Sequence, residues 1–188
     1  MCAEICRDDC EGCKISQGCR KPPGGIIGLD GDWILNHYDG EEGFLGWMAL
    51  QPRFHRMKLA DLQSNELKTL GENIQKIDSA LDAYWKTHFK NDPLQRVYVA
   101  YFFESVYDKP EPTKFHLHVH LIPRAKSLDP LLREYRKLSS DNNCASTINA
   151  WKIYTLTNYK GFPRKYEKNE KNVEALMAYL RGQLQRPS

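Results

Sequence analysis

The chain lacks any long apolar run, and nothing in its 188 residues is long and apolar enough to span a bilayer. It also lacks a basic stretch followed by an apolar one at its start. The opening Met1-Cys-Ala-Glu-Ile-Cys6 therefore reads as no signal peptide, and the expected location is cytoplasmic, with no membrane partner. Charge of one sign is scarce: a formal net charge of +3 gives no argument for a nucleic-acid partner or a membrane surface. There is no internal repeat and no low-complexity segment, which excludes solenoid and array architectures. Cysteine is rare beyond residue 19. Cys2, Cys6, Cys10, Cys13 and Cys19 crowd the N-terminus, and Cys144 stands alone. In a reducing compartment such residues are ligands or free thiols rather than disulfides.

What is present divides the chain into three. Residues 1–25 read as an irregular arm that bears cysteines and ends in Lys21-Pro-Pro-Gly-Gly25. Residues 26–124 form the core, and residues 125–188 form an extension of unassigned role. Within the core, residues 33–38 read as a strand, 39–43 as a turn and 44–50 as a second strand stopped by Pro52. The clearest helix covers residues 64–89. There Leu67, Leu70, Ile74, Ile77, Leu81 and Trp85 recur at three- and four-residue steps behind Ser64, the expected N-cap. Residues 95–103 are β-rich and apolar on both faces, which predicts a central strand. A loop at 108–112, punctuated by prolines, leads to a last strand. The order β-β-α-β-β predicts an α+β fold with an antiparallel sheet. In the extension, 128–138 reads as a short helix, 151–156 as a strand or packed loop and 172–184 as a helix. The lysines and arginines of 160–171 read as a solvated face.

Two stretches carry chemistry. Cys10-Glu-Gly-Cys13 is a C-x-x-C pair, which supplies two of the four ligands of a tetrahedral zinc site. With Cys6 it also has the spacing of radical-SAM iron–sulfur enzymes, but the chain has no run of βα repeats and is short for that fold. The second stretch is Lys114-Phe-His-Leu-His-Val-His-Leu-Ile-Pro-Arg124. At strand period, His116, His118 and His120 share one face, and Leu117, Val119 and Leu121 share the other. The apolar face suits a core. The histidine face would line a cleft, a metal site or both.

His116-Leu-His-Val-His-Leu-Ile122 resembles the H-φ-H-φ-H-φ-φ signature (φ apolar) of the histidine-triad, or HIT, nucleotide-binding superfamily. Pro123-Arg124 is similar to that family's usual continuation. Cys10-Glu-Gly-Cys-Lys-Ile15 resembles the opening of its zinc-binding members, and Gly46-Trp-Met-Ala-Leu-Gln-Pro-Arg-Phe-His55 resembles its G-H-φ-φ-φ-x-P-K-x-H strand. Leu59-Ala-Asp-Leu62 with Glu66 and Leu70 resembles the entry to its main helix. The resemblance runs from Cys10 to Arg124, roughly two-thirds of the chain.

The resemblance implies one structural zinc per chain, held by Cys10, Cys13, His55 and His116, and no catalytic metal. It implies His118 as the nucleophile toward a nucleotide α-phosphorus, with the other ring nitrogen anchored on a backbone carbonyl. His120 would bond phosphate oxygens, and Thr113 would lie near the leaving group. Asn36, Trp47 and His116 join His120 in the implied nucleotide site, with Asn36 near the ribose. Homodimerisation is a further inherited expectation. The implied activity is nucleotidyl hydrolysis or transfer on dinucleoside polyphosphates or adenosine phosphoramidates. Two departures keep other readings open. Gly46-Trp47 replaces the family's Gly-His, and Lys109-Pro-Glu-Pro-Thr113 replaces its Ala-Gly-Gln loop. A nucleotide-binding module with little catalysis is one alternative, and a purely structural zinc protein is another.

Overall fold

The computed structural model describes residues 10–40, 43–101, 115–130, 166 and 168–185. Thr113, the loop before the histidines, residues 151–156 and Cys2, Cys6 and Cys144 lie outside the described residues. So does most of the 128–138 segment.

The sheet has five strands: β1 (Ile26–Leu29), β2 (Trp33–His37), β3 (Met48–Pro52), β4 (Leu94–Ala100) and β5 (Val119–Ala125). Their spatial order is β1-β2-β3-β5-β4, and every neighbouring pair is antiparallel. Among the described residues the helices are α1 (Glu11–Ser16), α2 (Ser64–His88) and α3 (Glu170–Leu184). The α+β expectation holds.

One face of the sheet is the core. Trp33 and Leu35 of β2, Met48 and Leu50 of β3, and Val119 and Leu121 of β5 meet Ile77, Ala80, Leu81, Tyr84 and Trp85 of α2. Helix α3 adds Val173, Leu176, Met177 and Leu180 to the same cluster, so part of the extension belongs to the one hydrophobic core. Burial of an apolar side chain contributes about 1.5–3 kcal/mol, which makes this shared cluster the main source of stability. Helix α2 starts at the expected cap, Ser64, so its N-cap lies one residue earlier. Gln63 is the N-cap, and its backbone N–H donates to Glu66 Oε2 at 2.6 Å in a capping box. Glu66 also receives Arg56 Nε at 2.9 Å, and both side chains are nearly fully buried. This pins the helix start to the segment that follows β3. Asn169 caps α3 by accepting the Asn172 N–H at 2.9 Å.

Three expectations need correction. Among the described residues strand β4 is an edge strand, not a central one, and Val99 is exposed on it. A β-branched and aromatic run reports a pleated, half-buried surface and does not count neighbours. Residues 44–46 lie in a turn, and the strand begins only at Met48. Gly46 explains this: its φ is +88°, and an added Cβ would lie 2.5 Å from the Trp85 ring. Finally, the N-terminal arm is not wholly irregular, because it contains α1.

The histidine alternation survives although regular strand begins only at Val119. Upstream, Leu117 N–H donates to Arg56 O at 2.7 Å, which continues the pairing with the chain that leaves β3. The register then sets Asn36 opposite Ala49 and Ala49 opposite His120. These three residues therefore form one row across β2, β3 and β5, on the face opposite the core.

Candidate active site and metal centre

Cys10, Cys13, His55 and His116 converge, with their ligand atoms all within 4.8 Å of one another. Cys10 Sγ lies 3.5 Å from His116 Nδ1, Cys13 Sγ lies 3.6 Å from the same nitrogen, and Cys13 Sγ lies 3.3 Å from His55 Nδ1. A tetrahedral zinc with metal–sulfur bonds of about 2.3 Å and metal–nitrogen bonds of about 2.1 Å gives ligand–ligand edges of about 3.5 Å. The donor set therefore fits a zinc ion in both chemistry and spacing. His116 supplies a second sign of fit. Its Nε2–H donates to Pro52 O at 2.9 Å, which leaves the Nδ1 lone pair for the cluster. Burial holds its pKa down to about 4, so the ring is neutral, as a ligand must be.

Two residues that build this centre were not singled out from the sequence. A Cβ on Gly12 would fall 2.4 Å from His116 Cγ, so only glycine lets the turn between the cysteines settle on that imidazole. Gln51 Nε2 donates to Gly12 O at 2.9 Å and ties α1 to β3. The glycine inside C-x-x-C was the available signal. For Gln51 the sequence offered none.

Beyond the cluster the histidine row continues. His118 Nδ1–H donates to His116 O at 2.9 Å, so its other nitrogen, Nε2, carries the lone pair. Burial lowers the His118 pKa below its ordinary value, and the bond to the His116 carbonyl opposes this in part. The His120 ring lies 4.5 Å from the His118 ring, nearly perpendicular to it. His120 is buried, and desolvation, with the His118 charge second, pushes its pKa down to about 3. Its Nδ1 accepts the Trp47 indole N–H at 2.9 Å. Trp47 is stacked on Tyr38 with ring centroids 5.1 Å apart, and Phe44 meets it edge-on at 5.6 Å. The Tyr38 ring also meets His120 edge-on at 5.0 Å. Tyr38 and Phe44 are thus neighbours of the row that sequence reasoning missed.

Asn36 is brought to the same face as His120. It is buried, its Nδ2 donates to His37 O at 3.0 Å, and its Oδ1 has no hydrogen-bond partner among the described residues. Thr113 is not placed. His37, one residue on, belongs to the core face. Its Nδ1–H donates to Tyr38 O at 2.9 Å, and its Nε2 accepts the Gly46 N–H at 3.2 Å. It holds the β2–β3 turn in shape and takes no part in the row.

No protein-family model matches the chain, and no curated protein matches it in sequence. Solved structures do. A HIT-like protein from Bartonella henselae, involved in cell-cycle regulation and solved with an unknown ligand, is 16% identical over 91% of this chain and 92% of that one, with a TM-score of 0.50. The Streptococcus mutans protein SMU.412c is 20% identical over 73% of this chain and 88% of that one, also at a TM-score of 0.50. No helix among the described residues is long and apolar enough to cross a membrane. With its antiparallel sheet, its long packed helix and these neighbours, the chain has a HIT-like fold.

Proposed function

We propose that this protein is a histidine-triad nucleotide hydrolase or transferase that works through a covalent nucleotidyl–histidine intermediate on His118. The observation that carries the reading is the hydrogen bond from His118 Nδ1–H to the His116 carbonyl. It fixes the tautomer whose Nε2 is a nucleophile, and burial keeps that ring neutral near pH 7. Nε2 attacks the α-phosphorus, the bond from phosphorus to the leaving oxygen or nitrogen breaks, and the leaving group takes the electron pair, with a proton from solvent where it is an amine. Water, or another acceptor, then attacks the phosphorus and gives up its proton to solvent, and the phosphorus–nitrogen electron pair returns to His118. His120, with its ring centre 4.5 Å from that of His118, bonds the phosphate oxygens as charge builds on them. Dinucleoside polyphosphates and adenosine phosphoramidates are the substrate classes.

Zinc on Cys10, Cys13, His55 and His116 would serve as a cross-link between α1 and the sheet. Four protein ligands would leave no open position on a four-coordinate ion, the pattern of structural rather than catalytic sites. His116 then has a second task, since its carbonyl oxygen orients the nucleophile.

The deciding experiment measures nucleoside monophosphate release from a panel of dinucleoside polyphosphates and adenosine phosphoramidates. Wild type and His118→Ala are run side by side, with the fold of each checked by circular dichroism. Release by wild type alone is the expected result. Nucleotide binding without release by either would replace the enzyme with a binding module.

A further inference from the structure

The sequence sets an indole where the resembled family has a histidine, an exchange that looks like the loss of a polar group beside the histidine row. The geometry indicates that the polar function is kept. Trp47, just before β3, and His120, on β5, lie on the same face of the sheet, and the indole Nε1–H reaches His120 Nδ1 at 2.9 Å. Indole nitrogen only donates, so the nitrogen that receives it must present a lone pair. A neutral imidazole with an unprotonated Nδ1 carries its proton on Nε2.

We propose that Trp47 is a positioning residue that locks His120 in the Nε2–H tautomer, so that a neutral, fixed N–H donor stands beside His118 for the phosphate oxygens. This inference rests on the reading of His118 and His120 as the reacting row. Three further observations support it. Trp47 is fully buried, so water does not compete for its N–H. Its ring is held from both sides, by Tyr38 in a stack at 5.1 Å and by Phe44 edge-on at 5.6 Å. The chain on either side is tied down as well. Trp47 N–H donates to Phe44 O at 3.0 Å, Tyr38 N–H to Trp47 O at 2.8 Å and Leu45 N–H to Tyr166 O at 2.8 Å. A donor held this firmly selects one of two nearly equivalent tautomers. The other would set N–H against N–H at hydrogen-bond distance, with the bond lost and both donors unsatisfied.

The arrangement also matches the chemistry. Burial disfavours imidazolium at His120, which leaves a neutral donor as the way for this ring to stabilise phosphate charge. Removing the indole N–H removes the constraint that this bond sets on the tautomer, and only one tautomer offers the Nε2–H. The change would appear mainly in kcat, because the donor matters most as charge develops.

The test is ring-nitrogen NMR on the full chain labelled with ¹⁵N-histidine, with His120 assigned by its loss in His120→Gln. In wild type, His120 is expected as Nε2–H with an unprotonated Nδ1. In Trp47→Phe, which keeps an aromatic ring and removes the N–H, His120 is expected as a tautomer mixture. In that variant kcat should fall by roughly ten- to a hundredfold with KM within about twofold, the cost of a lost orienting partner. Should Trp47→Phe fail to fold, benzothienylalanine placed at position 47, with sulfur in place of N–H, is the substitute and carries the same expectation. An Nδ1–H tautomer at His120 in wild type would overturn the proposal. So would an unchanged tautomer and kcat in the folded variant. The tautomer readout needs no turnover, so failure of the enzymatic reading would show separately, as no nucleotide release by wild type or as release by His118→Ala.

Discussion

His116 and His118 are two residues apart and on one face of the sheet, yet their rings are anchored in opposite senses. Both donate to backbone carbonyls at 2.9 Å, but from different nitrogens. His116 gives Nε2–H to Pro52 and turns Nδ1 toward two thiols. His118 gives Nδ1–H to His116 and turns Nε2 away from that carbonyl. At His120 a third partner, an indole, occupies Nδ1 as donor. In the proposed reading the same side chain would thus serve as metal ligand, nucleophile and neutral donor, according to which ring nitrogen is engaged and by what. The comparison teaches that the identity of a histidine matters less than its anchor.

The comparison breaks most sharply at His118. His118→Ala is expected to lower nucleotide release by about a thousandfold or more with melting temperature and metal content unchanged, because only the chemical step depends on that ring. The metal end should behave in reverse. Cys10→Ser combined with Cys13→Ser is expected to reduce zinc from about one per chain to none by elemental analysis and to lower thermal stability by several kcal/mol. Full metal content in that variant would remove the metal centre from the account.

Away from the row, His37 offers a contrast in which a histidine is only structural. Its folded pKa, lowered to about 4 by burial, lies below the ordinary 6.5. The unfolded chain therefore takes up the proton first as pH falls. The His37 contribution is complete above about pH 6.5 and is lost as pH drops toward 4, by on the order of 3 kcal/mol, and His37→Gln should make the stability fall less steeply across that window in urea melts.

Gly12→Ala sharpens the metal end further. The added methyl meets His116, so a loss of about 1–3 kcal/mol is expected, with weaker zinc retention against a chelator. The smallest effect is a shift in position. Because the His118 pKa is lowered, activity should hold from neutral pH to below 6.5 and fall only as the ring protonates; a limb above pH 7 would contradict a neutral nucleophile.

Much of this was legible in the sequence because period and spacing survive folding. The alternation at 116–121 and the apolar stripe of α2 needed no tertiary information, whereas His55 and His116 were joined to the C-x-x-C pair only by the family resemblance, and the fold brings the four together. What stayed hidden depends on long-range contact. That Val97–Val99 would sit at an edge was set by strand order, which local pattern does not encode. The same holds for Trp47: its residue type announced an aromatic surface, while the hydrogen bond to His120 spans 73 positions of chain. Gly12 could have been weighed, since a glycine between two ligating cysteines already hints at a close neighbour.

The tie between Leu45 and Tyr166 also bears on the order in which the protein can be completed. Leu45 N–H donates to the carbonyl of Tyr166, the Tyr166 hydroxyl reaches Asp92, and Lys168 Nζ donates to the Asp39 and Gly40 carbonyls. The turn that carries Trp47 is therefore gripped at both ends by residues more than a hundred positions later in the chain. During synthesis the histidine row leaves the ribosome well before the segment that steadies its neighbour. A nascent chain that stops short of residue 166 would hold every residue assigned to the chemistry and still lack a finished wall beside it.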